Sequence, residues 1–73
     1  MFKIGDKVEI NELFKTEYNE ICKNHNWKYN TRIKKYEGIK EIVDILDGVI
    51  FFEKPDRNGN RSGLNEKYLQ LVK

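Results

Sequence analysis

Residues 23–36 hold Lys23, Lys28, Arg32, Lys34 and Lys35 and no acidic residue, a local charge of +5 in a chain whose formal net charge is +2. The remaining residues carry nine basic and twelve acidic groups, so a nearly neutral total conceals a dipolar surface. Trp27, Tyr29 and Tyr36 interleave with these cations. Aromatic rings beside Lys and Arg suit a surface that neutralises phosphates and stacks bases. Arg57 and Arg61, on a later turn, are placed to extend it. The same residues also fit a plainer description, a solvated basic loop whose aromatics belong to the core.

Other constellations fall short of a reactive site. Cys22 and His25, three apart, have the spacing of half a zinc site, but the sequence holds one Cys and one His, so a single chain supplies only two such ligands. As a nucleophile and base they lack an orienting third group and an oxyanion hole. Asp56-x-Asn58-x-Asn60 resembles the start of a calcium loop. However, Arg61 stands where glycine is required and Lys67 where the bidentate glutamate belongs, so a polar turn is expected. Glu41 and Asp44 point to opposite faces of an alternating strand, which argues against an acid–base pair. No phosphate-binding glycine loop or nucleophile elbow is present. The expectation is a non-catalytic protein with no cofactor and no metal.

The elements that position the basic stretch come from a chain of 73 residues with 38% apolar and 36% charged residues and no alanine. A chain this short buries only about 60% of its unfolded surface, and here the core must come from eight Ile, four Phe, four Tyr and Trp27. One cysteine excludes an internal disulfide, so a reduced, cytoplasmic setting is expected. No apolar run approaches the ~18 residues of a membrane span, and Met1-Phe2-Lys3-Ile4-Gly5-Asp6 lacks a signal-peptide layout. Eleven Lys, eight Asn and eight Ile look like an AT-rich bacterial, phage or prophage coding sequence.

Alternation in Lys7-Val8-Glu9-Ile10 predicts a first strand over 7–10. The period then changes. Leu13, Phe14, Tyr18, Ile21, Cys22 and His25 share one helical face, Asn11 is suited to cap it, and a helix over about 12–24 follows. Asn24-His25-Asn26 and Asn30-Thr31 favour turns beyond it. Ile39–Leu46 reads as one strand, Asp47-Gly48 as a hairpin turn, and Val49–Lys54 as its partner strand. After a glycine- and asparagine-rich tip at 56–63, Leu64 starts a short strand, 65–68 makes a tight turn, and 69–72 closes the chain. No repeat or linker divides it, so one domain of 1–73 is expected.

Three segments carry a likeness to a known fold: Ile4-Gly5-Asp6-Lys7-Val8-Glu9-Ile10, Tyr36-Glu37-Gly38-Ile39-Lys40-Glu41-Ile42-Val43-Asp44-Ile45, and Glu66-Lys67-Tyr68-Leu69-Gln70-Leu71-Val72. In order and spacing they resemble small Src-homology-3-like (SH3-like) barrels of the KOW type or those of phage genomes. The resemblance implies a mainly β, five-stranded barrel with a helical insertion after the first strand. Its core would be Val8, Ile10, Ile42, Val43, Ile45, Ile50, Phe52, Leu69 and Leu71, lidded by Leu13, Phe14, Tyr18 and Ile21. The competing architecture is an open α+β sheet with one helix. On either, the leading functional expectation is a small binding module. It engages nucleic acid through Lys23, Trp27, Lys28, Tyr29, Arg32, Lys34 and Lys35, with Arg57 and Arg61 alongside. The rival is a protein-interaction or inhibitory accessory module acting through an exposed helix surface or a free strand edge.

Overall fold

The computed structural model describes residues 1–72. β1 (Lys7–Ile10) leads through Asn11 into α1 (Glu12–His25), followed by a short α2 (Tyr29–Arg32) that tightens into a 3₁₀ turn at Ile33–Lys35. β2 (Lys40–Glu41), β3 (Asp44–Leu46), β4 (Val49–Phe51) and β5 (Gly63–Asn65) follow, then a 3₁₀ turn at Glu66–Tyr68 and β6 (Leu69–Leu71). The strands form two antiparallel three-stranded sheets, in the orders β2-β1-β6 and β3-β4-β5.

These sheets stay open, which overturns the SH3-like barrel, KOW-type or phage-type, implied by the resemblance. The fold is a small α+β one with six strands and two helices, where five strands and one helix were expected. Its physical origin lies at Ile42-Val43. Ile42 N–H donates to Asp6 O at 2.9 Å in the first sheet, while Val43 N–H donates to Phe51 O at 2.9 Å in the second. Phe51 already faces Asp44, so two residues oppose one, the geometry of a β-bulge. The bulge bends the chain, and the expected single strand over 39–46 becomes β2 and β3 in different sheets. Closure would then require strand pairing between the outer edges, and none joins the two sheets among the described residues.

Local chemistry sets the start of α1 and the β3–β4 hairpin turn as expected, although β4 ends at Phe51 and not at Lys54. Asn11 caps α1, its side-chain Oδ1 accepting from Phe14 N–H at 3.1 Å. Its Nδ2 donates to Lys67 O at 2.8 Å, and its backbone N–H to Tyr68 O at 2.9 Å, which ties the helix start to the turn before β6. Asp47 (φ 49°) and Gly48 (φ 79°) form the two-residue hairpin between β3 and β4, with Leu46 opposite Val49.

Val8, Ile10, Phe14, Ile33, Ile42, Ile50 and Leu69 form the buried core. Val43, Ile45 and Phe52 are half-buried and Leu71 is exposed, so the core is smaller than the barrel reading required. On α1 the inward stripe is Phe14, Tyr18 and Cys22, spaced by four; Leu13 and Ile21, expected in the lid, are each 45% exposed. A small sheet covers only a narrow stripe of a helix, and one flank of the apolar face is left in solvent. None of the described helices is long and apolar enough to cross a membrane.

Candidate binding surface

α1 stops by a Schellman arrangement. Asn26 adopts the left-handed conformation (φ 57°), its N–H meeting Lys23 O at 3.3 Å, and Trp27 N–H meets Cys22 O at 2.8 Å. That closure turns Trp27 back across the last helical turn, where its ring stacks on His25 with centroids 4.4 Å apart. The Arg32 guanidinium lies over the same ring at 3.9 Å. Trp27 remains 38% exposed, so it stands at the surface with two cationic or titratable neighbours against its ring.

The following segment is helical against the grain of Asn30 and Thr31, because burial outweighs propensity. Tyr29, Ile33 and Tyr36, spaced i, i+4, i+7, turn inward: Ile33 is buried and both tyrosines pack against the core. Tyr29 lies 6.2 Å from Tyr18, and Tyr36 lies 5.3 Å from Tyr18 and 5.0 Å from Phe14. Tyr29 is therefore a half-buried packing residue and not a free stacking platform. Lys28, Arg32 and Lys35 recur at the same spacing one residue earlier, which leaves them outward and exposed, with Lys34 beside them.

Lys28, Arg32, Lys34 and Lys35 have no carboxylate within ion-pair distance among the described residues. Lys23 differs, lying 3.7 Å from Glu20 on α1. Arg61 is also committed elsewhere. Its Nη2 donates to Asp44 Oδ2 at 2.8 Å, its guanidinium covers the Phe51 ring at 3.8 Å, and its side chain is 14% exposed. Arg57 is exposed on the turn at 56–59. In that turn Asp56 Oδ1 accepts from Asn58 and Asn60 N–H at 2.8 and 2.9 Å, so the carboxylate that resembled a calcium ligand organises its own loop. Cys22 is buried, while His25, placed on the same helical face by its spacing, is exposed.

The structure also assembles a feature with no signature in the chain. A groove of about 700 Å³ opens between the sheets beside the end of the basic segment. Lys35 and Tyr36 meet Lys40, Val43, Phe52 and Leu64 there. These residues come from four separate stretches, so no motif or spacing could have marked them. No family model, curated protein or solved structure matches the chain significantly.

Proposed function

We propose that this chain is a small non-catalytic module that binds nucleic acid through the phosphate backbone, using the segment that follows α1. One observation carries the reading: Arg32, Lys34 and Lys35 on a short, core-anchored helical segment, and Lys28 at its N-cap, have no carboxylate partner among the described residues. Cations already paired within a protein have less to gain from a phosphate; these four are available. The aromatic packing of Tyr29 and Tyr36 holds the backbone that displays them.

Trp27 adds a ring edge beside the phosphate contacts. Because His25 and Arg32 already cover its ring, base stacking contributes less than charge, and binding is weakly sequence-dependent. Lys23 and Arg61 drop to supporting positions because each already holds a carboxylate.

The test is fluorescence anisotropy of labelled mixed-sequence single- and double-stranded oligonucleotides across roughly 50 to 200 mM salt. Four phosphate contacts give a log–log slope of about −3. Reversing charge at Lys34 and Lys35 together reduces that slope by one to two units. A flat salt response, or unchanged binding after all four cations are replaced by glutamate, rejects the reading.

A further inference from the structure

The groove between the sheets is walled by strand edges whose backbone groups are left over. Ile42 N–H pairs with Asp6 O, and in an antiparallel ladder the residues between hydrogen-bonded pairs turn their N–H and C=O the other way. Glu41 therefore directs both groups away from β1. The same argument applies at β5: Glu66 N–H pairs with Gly48 O at 2.9 Å, Leu64 pairs toward β4, and Gly63 directs its N–H and C=O outward. No backbone hydrogen bond from another segment meets Glu41 or Gly63 among the described residues. Both residues line the groove.

Its free charge is positive by one: Lys7, 3.5 Å away, offsets Glu41, and Lys35 and Lys40, with no carboxylate partner among the described residues, outnumber Glu53, which keeps its charge while accepting from Ser62 N–H at 3.2 Å. The floor is Tyr36, Val43, Phe52 and Leu64, all half-buried, with Tyr36, Phe52 and Leu64 packed against the core.

We propose that this groove binds an extended acidic peptide segment of another protein, which adds as a strand along the Gly63 edge. An apolar side chain of the segment rests on Tyr36, Val43, Phe52 and Leu64, and its carboxylates meet Lys35 and Lys40. Unpaired N–H and C=O groups alternating along a strand edge are matched by a peptide backbone, which has both donors and acceptors. A phosphodiester backbone offers acceptors alone, so this surface selects protein where the Lys28–Lys34 surface selects phosphate. The inference shares Lys35 with the proposed nucleic-acid surface and otherwise rests on Lys40 and the two strand edges.

The experiment is a backbone-amide NMR titration of the full chain with an end-blocked heptapeptide alternating valine and aspartate. The expected result is saturable shifts at Glu41, Val43, Phe52, Gly63 and Leu64. N-methylation of alternate peptide amides, which removes strand hydrogen bonds but keeps the side chains, weakens binding about tenfold. Lys35→Glu with Lys40→Glu weakens it further, and Lys28→Glu with Arg32→Glu leaves it unchanged. The proposal is overturned by no saturable shift at millimolar peptide, by equal binding of the N-methylated peptide, or by shifts confined to Trp27–Lys34. If an oligothymidylate instead shifts the groove residues and competes with the peptide, the groove is a nucleic-acid site and the proposal fails.

Discussion

Arg61 Nη2 donates to Asp44 Oδ2 at 2.8 Å, fastening the loop that enters β5 to the start of β3 at the bulge between the two sheets. This bond, then the Ile45 N–H that reaches Asp44 Oδ1 at 2.9 Å, holds the Asp44 carboxyl below its ordinary value. A carboxyl lowered by folding adds stability above its unfolded value, near pH 3.9, and loses it as pH falls through the folded value. Urea unfolding followed from neutral pH into acid is expected to show a shallower acid loss for Asp44→Asn than for the parent chain. Arg61→Ala should be the more damaging change at neutral pH, since it also uncovers Phe51, worth about 1 kcal/mol.

Asn11 serves two ends of the chain at once, and its substitutions should separate the roles. Asn11→Ala removes the cap and the bond to Lys67 O, with an expected loss of about 1–2 kcal/mol in chemical denaturation. Asn11→Asp keeps the oxygen that caps Phe14 N–H but has no donor for Lys67 O, and is expected to fall between the parent and Asn11→Ala. Equal losses for both variants would mean that the tie across the chain, and not the cap, dominates.

The two flanks of α1 should respond unequally to truncation. Phe14 is 7% exposed and touches Tyr18, Tyr36 and Tyr68, so Phe14→Ala is expected to cost about 3–5 kcal/mol. A domain of this size has a total stability of about 4–11 kcal/mol, so that loss brings it close to unfolding. Leu13→Ser and Ile21→Ser lie on the solvent flank and should each change stability by about 0.5 kcal/mol or less. Thermal melts of the three variants check this directly; a large loss at Leu13 or Ile21 would show that the helix packs on a different face.

Trp27, the single tryptophan, reports on the basic surface. Acrylamide should quench its emission in the native state, and Arg32→Ala should increase the quenching by uncovering the ring, with a stability loss of about 0.5–1 kcal/mol. Oligonucleotide binding at the adjacent cations should reduce the quenching. Unchanged quenching in the presence of saturating oligonucleotide would remove Trp27 from the contact surface and leave it as the residue that closes the α1 terminus.

The features legible from residue order are those set by neighbours a few positions apart. Val8 and Ile10 alternate, Asn11 caps, Asp47-Gly48 turns, and 65–68 tightens before the last strand; each depends on contacts made within one turn or one hairpin. The exposed run Lys28, Arg32, Lys34 and Lys35 belongs with them, because a charge run finds solvent wherever its segment is anchored. Other properties belong to long-range packing. The break of 39–46 into two strands depends on Phe51 accepting Val43 N–H across the second sheet, and the openness of the sheets follows from that bend. Which apolar residues of α1 enter the core depends on how wide a stripe the sheets can cover, and this favours Cys22 over Ile21. Arg61 reads as a free cation until Asp44, seventeen residues earlier, is brought beside it. The groove between Lys40–Glu41 and Gly63–Leu64 exists because two strand edges are left unpaired. Composition cannot carry that information, since an edge is defined by the strand that is not there to cover it.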